Sequence, residues 1–259
     1  MPDYKKLATK ARRKILTMVS KAGTSHAASN LSVIDIATVL YANLKPEDVV
    51  IWSKGWAAAS EYYFLAQQGK IPMEDLEKFG KEIDGKIEYL GLAETTVNGV
   101  LCNGGSVGHG LPIAVGHAYA KKLKGEGGKV FCIMSDGELN EGTAWESAML
   151  AKHLKLDNLV AIIDKNGWQA MDRTNKIIKI NEFNIFKSFD WHTHEINGHD
   201  HEEIEKTIRH KCTGDCKLAP LVIIANTIKG KGVSFMEDHL LFHYKHVTEE
   251  ELERALKEL

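Results

Sequence analysis

Short apolar runs rich in β-branched residues punctuate the chain at 49–52, 130–134, 159–163 and 221–225, with a weaker one at 193–196. The strong runs are continuous rather than alternating, which suits strands buried on both faces. Helical spacing fills the intervals, at about 4–22, 32–42, 56–68, 106–124, 142–155 and 201–210. A last amphipathic helix opens at Thr248, with Glu251 three residues on in the pattern of a capping box. Strands alternating with helices predict an α/β fold, a doubly wound, mostly parallel sheet, as one domain over residues 1–259. Ligands bind such sheets beyond the carboxyl ends of the strands. The loops after Met134 and after Ile163 are therefore the first places to look.

Composition narrows the function classes. Lys and Arg number 33 against 35 Asp and Glu, a formal charge of −2, so the basic footprint of a nucleic-acid binder is missing. A 44% hydrophobic and 26% charged chain is ordinary for an ordered globular protein. No apolar run approaches the roughly 18 residues of a membrane span. The opening Met1-Pro2-Asp3-Tyr4-Lys5-Lys6 has no signal-peptide core. Four cysteines make no disulfide framework, and the expectation is a reducing cytoplasm.

After the run ending at Met134 comes Ser135-Asp136-Gly137-Glu138-Leu139-Asn140-Glu141-Gly142, and after Ile163 comes Asp164-Lys165-Asn166-Gly167-Trp168-Gln169. If the two strands are neighbours, Asp136 and Asn166 lie side by side. A carboxylate and an amide oxygen, with backbone carbonyls, suit a hard cation such as Mg²⁺. Mg²⁺ keeps positions for phosphate oxygens, so a diphosphate ligand follows. Gly137 admits close backbone approach, and a helix starting near Thr143 adds its N-terminal dipole. Taken singly, Asp-Gly and Asn-Gly are also common surface turns. The pairing after two buried strands favours the site.

This pattern resembles the thiamine diphosphate motif, a Gly-Asp-Gly followed about thirty residues later by Asn, with Ser135 in place of the first Gly. The resemblance assigns Asp136, Asn166 and the Trp168 carbonyl to the metal, which is Mg²⁺ with Ca²⁺ or Mn²⁺ as substitutes. Further segments are similar to the transketolase family: Ser53-Lys54-Gly55, Gly105-Ser106-Val107-Gly108-His109-Gly110-Leu111, Glu141-Gly142-Thr143-Ala144-Trp145-Glu146, Leu154-Lys155-Leu156-Asp157-Asn158-Leu159 and Thr227-Ile228-Lys229-Gly230-Lys231-Gly232-Val233. They cover the diphosphate-binding half of a transketolase. The aminopyrimidine-binding half, with the family's catalytic Glu, is missing from this chain. The resemblance therefore implies the N-terminal subunit of a split transketolase, completed by a C-terminal transketolase-like subunit, as an α2β2 heterotetramer of carbohydrate metabolism. The implied reaction moves a two-carbon ketol or acyl unit from a ketose or 2-oxo acid donor to an aldehyde acceptor, with the cofactor carrying the carbanion chemistry. Neither nucleic acid nor membrane is an expected partner.

By the same resemblance, Gly105, Val107 and Gly108 pack on the cofactor, together with Gly137 and Glu138. His26 assists proton transfer, and His243 lies near the cofactor as a second catalytic His; Lys229 lies near the diphosphate, with a simply solvated lysine as the other reading. Glu141 and Glu146 resemble an acidic pair at the subunit interface; as plain helix positions they are simply polar. At two further positions a family His is missing. Trp56 follows Ser-Lys-Gly where a His is usual, and Gly91-Leu92-Ala93 stands for Gly-His-Pro. Two imidazoles are thereby exchanged for apolar surface, which points to a donor with fewer hydroxyls, such as pyruvate; compensation by Tyr62, His109 or a partner residue is the other reading. The rival classes are the α subunit of a 2-oxo acid dehydrogenase and a non-catalytic diphosphate-binding partner. Three lesser readings remain. His210, Cys212 and Cys216 have a spacing possible for zinc but no second ligand pair, which favours a plain loop between helix and strand, Lys229-Gly230-Lys231-Gly232 lacks the pattern of a P-loop, and Trp145, Phe131 and Met149 read as core.

Overall fold

The apolar runs fold as five parallel strands in the order β1-β2-β3-β5-β4 in a computed structural model that describes residues 2–209 and 218–259. The strands are β1 (Val49–Trp52), β2 (Val130–Ser135), β3 (Leu159–Lys165), β4 (His192–Asn197) and β5 (Leu221–Asn226). β2, β3 and β5 are buried along nearly their whole length, as continuous apolar runs require. Burying one Val or Ile contributes about 1.5–3 kcal/mol, so these runs fix the centre of the sheet. β2 and β3 are direct neighbours, with Ser135 beside Asp164. The loops carrying Asp136 and Asn166 therefore leave adjacent strand ends.

The described chain forms two compact units. One comprises residues 43–54 and 106–226 and contains the entire sheet. Helices α5 (Gly110–Lys124) and α6 (Gly142–His153) pack on each other, and α5 packs on β2. Small residues at the buried positions, Ala114 and Ala118 on α5 and Ala144, Ala148 and Ala151 on α6, allow that approach. Helices α8 (Glu182–Ser188) and α9 (His201–Ile208) flank β4, and α7 (Thr174–Ile177) is a single turn. Met149, read as core, is exposed on α6 beside exposed Leu150. Trp145 is half-buried against Phe186, and Phe131 is buried.

The other unit comprises 1–42, 55–105 and 227–259. Its helices are α1 (Tyr4–Lys21), α2 (Ala27–Ser32), α3 (Ile34–Ala42), α4 (Ala58–Gln67) and α10 (Glu249–Glu258). The helix expected over 32–42 begins earlier and is divided at Val33, between α2 and α3. The capping box at Thr248 is formed: its hydroxyl accepts from the Glu251 amide at 3.2 Å, and Glu251 accepts from the Thr248 amide at 3.1 Å. Arg12 is paired bidentately with Asp35 at 3.1 and 2.5 Å inside the unit and donates to the Lys231 carbonyl at 3.1 Å. His210, Cys212 and Cys216 lie outside the described residues. Among the described residues, no helix is long and apolar enough to cross a membrane.

α4 carries a buried carboxyl group, Glu61, whose Oε2 has no hydrogen-bond partner among the described residues. Burial pushes its pKa well above the ordinary 4.5. The folded chain therefore holds a proton that the unfolded chain has released, and stability falls as pH rises from about 4.5 through the raised value. Glu61→Leu should remove that fall and raise stability at neutral pH by about 1–3 kcal/mol, the desolvation cost of an unpaired buried polar group. Thermal melts of the two proteins at pH 5 and pH 8 check this: the gap between them should widen at pH 8.

Candidate active site

At the end of β2 the chain turns through a 3-10 segment, Asp136–Asn140. Ser135 and Glu138 cap it reciprocally: Glu138 Oε1 accepts from the Ser135 amide at 2.8 Å and the Ser135 hydroxyl at 3.1 Å. Ser135, a departure from the family's Gly, is thus used by the turn. Glu138 Oε2 accepts from the Ser53 hydroxyl and, at 3.1 Å, from the amide of Gly108. Glu138 is fully buried, and burial raises its pKa against these donors. Its carboxyl group braces three segments of the unit. Gly108 has φ +81°, and a Cβ there would lie 2.7 Å from the Cβ of Glu141, so only glycine fits. Val107 is exposed beside it.

Asp136 is buried and receives bonds from three directions. Its Oδ2 accepts from the Gly167 amide at 2.9 Å and the Thr174 hydroxyl at 3.0 Å, and its Oδ1 accepts from the Gly137 amide at 3.1 Å. Burial, then the charge of Asp164, pushes its pKa up to about 6, while Thr174, Gly167 and Lys54 pull it down. Across from it, Asn166 Oδ1 accepts from the Trp168 amide at 3.1 Å. Gly137 is approached most closely by Gln169, whose Cγ would lie 2.9 Å from a Cβ at that position. Lys54 and Asp164 form a buried ion pair in the same unit.

These residues fit a divalent cation. Among the described residues no three His, Cys, Asp or Glu converge. A metal here would rest on one carboxylate, an amide oxygen and the Trp168 carbonyl, an all-oxygen set of the kind Mg²⁺ takes alongside phosphate oxygens. Each carboxylate oxygen has more than one lone pair, so the bonds to Asp136 leave it acceptor capacity. A buried carboxylate whose charge is raised in cost by burial and Asp164 is also one that a cation would stabilise.

The sequence-predicted histidines lie in the helical unit. His26 sits before α2 with φ 67°, its Nδ1 at 2.7 Å from the Ser25 hydroxyl. Its ring stacks on Trp56 at 4.4 Å and meets His243 edge-on at 4.6 Å. Lys229 is buried, with its Nζ 2.6 Å from His243 Nδ1. The structure thus brings His26, Trp56, His243 and Lys229 into one cluster. Leu92 covers Gly104 and Gly105: Cβ atoms built there would meet it at 2.8 and 3.1 Å. Gly105 has φ +111°. Tyr62 is buried and His109 exposed. Both Glu141 and Glu146 are exposed in the sheet unit.

Sequence reasoning misses Ser53, Lys54, Asp164 and Thr174 as residues of the site, although Ser53 and Lys54 stand in a family-like segment. A buried lysine just past the end of β1 and a buried aspartate in β3 carry no joint signal until the fold pairs them.

The sequence comparisons decide the family. Residues 4–259 match the model of the transketolase thiamine diphosphate-binding domain. The chain belongs to the transketolase family. It is 36% identical to one of the subunits of the apulose-4-phosphate transketolase of Actinobacillus succinogenes, over 99% of this chain and 96% of that protein. It is 32% identical to the 6-deoxy-6-sulfo-D-fructose transketolase subunit SqwG of a Clostridium species, with the same coverage. Among solved structures, the transketolase of Campylobacter jejuni superposes with a TM-score of 0.89 at 29% identity, over 99% of this chain and 43% of that one. This transketolase chain is thus matched end to end by subunits of split enzymes and spans less than half of that undivided one. The 2-oxo acid dehydrogenase reading is not favoured, and the relatives are enzymes rather than silent partners.

Proposed function

We propose that this chain holds thiamine diphosphate and Mg²⁺ as one binding domain, and that it works only with a second, C-terminal transketolase-like subunit in an α2β2 assembly. The observation that carries this reading is the pair Asp136 and Asn166 at the adjacent carboxyl ends of β2 and β3. The Asp136 carboxylate, the Asn166 amide oxygen and the Trp168 carbonyl would hold the cation, with Ca²⁺ or Mn²⁺ able to replace Mg²⁺. Gly105, Val107 and Gly108 would pack on the cofactor, and Glu138 would keep Gly108 in place through its amide. When bound, the cofactor supplies the carbanion chemistry. His26 and His243 would move protons at the donor's oxygens, with Ser25 and Lys229 fixing their rings.

The activity is transfer of a two-carbon ketol unit from a ketose to an aldehyde, in a cytoplasmic step of carbohydrate metabolism. The names of the relatives, which specify apulose 4-phosphate and a sulfofructose, support a ketose donor. Acyl transfer from a 2-oxo acid such as pyruvate is the second reading, favoured by apolar Trp56 over His26 and by Leu92 on the glycine pair. An apolar pocket rejects a hydroxyl weakly, whereas one built to bond hydroxyls rejects a donor without them strongly.

The test is to isolate the chain gently from its own cells with thiamine diphosphate and Mg²⁺, and to sequence what co-purifies. A companion bearing the aminopyrimidine-binding domain is expected. The reconstituted pair should turn over, and the chain alone should not. A donor series then separates the readings: xylulose 5-phosphate far ahead of pyruvate removes the acyl alternative. A fully active single chain would overturn the split enzyme.

A further inference from the structure

Between the end of β3 and α7 the chain doubles back on itself. Trp168 and Arg173 form an antiparallel bridge, the Gln169 amide donates to the Asp172 carbonyl at 2.9 Å, and the Thr174 amide donates to the Gly167 carbonyl at 3.0 Å. The Arg173 guanidinium lies over the Trp168 ring, 3.9 Å from its centre. This hairpin begins at Asn166 and contains Trp168, two of the three oxygen donors read above. Thr174, at its far end, reaches across to the third alongside the Gly167 amide: its hydroxyl donates to Asp136 Oδ2 at 3.0 Å, the Gly167 amide donates to the same oxygen at 2.9 Å, and the Thr174 amide closes the hairpin on Gly167. Thr174 and Asp136 line one cleft of about 300 Å³.

We infer that Thr174 is a positioning residue of the cation site, fixing the Asp136 carboxylate relative to the hairpin that presents Asn166 and Trp168. The inference rests on the cation reading of those three residues. A threonine hydroxyl supplies one donor, and here that donor ties the loop after β2 to the loop after β3. Arg173 works on the same hairpin from the other side, by holding the Trp168 ring through cation–π attraction. Residues that orient metal ligands without touching the metal influence affinity strongly. Mg²⁺ demands near-ideal geometry, whereas Ca²⁺ accepts irregular sites. Loss of the tie should therefore weaken the Mg²⁺ site more than a Ca²⁺ site.

The experiment is a calorimetric titration of thiamine diphosphate into the full chain with its co-purified companion, at a series of Mg²⁺ or Ca²⁺ concentrations. Thr174→Val keeps the shape and removes the donor. It should raise the half-saturating Mg²⁺ concentration about tenfold and the half-saturating Ca²⁺ concentration by clearly less. Thr174→Ser keeps the hydroxyl and should stay within about twofold of the parent. Melting temperatures of the cation-free proteins should agree. The inference is overturned if Thr174→Val binds as the parent does, or if both cations lose affinity equally while the melting temperature drops. Asp136→Ala, run alongside, separates the two levels. If it binds normally, the cation reading itself fails and this inference with it. If it loses binding while Thr174→Val does not, only the role of Thr174 fails.

Discussion

Asp136→Ala should lose cation-dependent thiamine diphosphate binding by more than about 100-fold, beyond what losing an orienting neighbour costs, and turnover with the companion should vanish. The same change should leave the cofactor-free fold intact or slightly firmer. Asp136 is buried beside Asp164, and its charged form is disfavoured there, as its raised pKa of about 6 records. Removing a poorly solvated carboxyl costs the empty protein little. The amides of Gly167 and Gly137 and the hydroxyl of Thr174 lose an acceptor, which offsets part of the gain. Function lost with stability kept is the signature of a residue retained for its ligand. Calorimetry and a thermal melt on the same preparation measure both halves. Undiminished binding would put the cation elsewhere, and a collapsed melt would make Asp136 a structural residue.

The sheet was legible because its strands are continuous apolar runs, and the runs beginning at Val49, Val130, Leu159 and Leu221 all became strands. The Thr248 cap was legible for a local reason: donor and acceptor lie three residues apart. Boundaries set by glycine were harder. The helix expected from 106 begins at Gly110, because Gly105 and Gly108 take positive φ and keep the preceding loop out of helical geometry. Asp136 and Asn166 were readable as a pair because each directly follows a recognisable strand. Thr174 was not, since its partner Asp136 lies 38 residues away and nothing in Arg-Thr-Asn marks a donor aimed at a carboxylate. Met149 failed as core because helical spacing alone cannot say which face of α6 is covered.

Breaking the Lys54–Asp164 pair should be strongly destabilising. Asp164 is completely buried and Lys54 nearly so. Lys54→Met removes the cation paired with the buried Asp164 carboxylate, a cost of about 3–5 kcal/mol, or roughly 10 °C of melting temperature for a chain of this size. The damage should reach the cation site as well. The charges of Lys54 and Asp164 act on Asp136 in opposite senses, the lysine favouring its ionised form and the aspartate opposing it. With the lysine gone, its favourable influence is lost while that of the aspartate stays, and thiamine diphosphate binding should weaken with stability. Lys54→Met combined with Asp164→Leu removes both charges. Replacing a whole buried pair by apolar residues is often close to neutral, and the two influences on Asp136 disappear together. The double variant should therefore regain most of the melting temperature and part of the cation-dependent affinity. Recovery of the melt without any recovery of affinity would assign Lys54 a direct part in holding the ligand. Recovery of neither would mean that the pair is needed for its hydrogen-bond geometry rather than its charge balance.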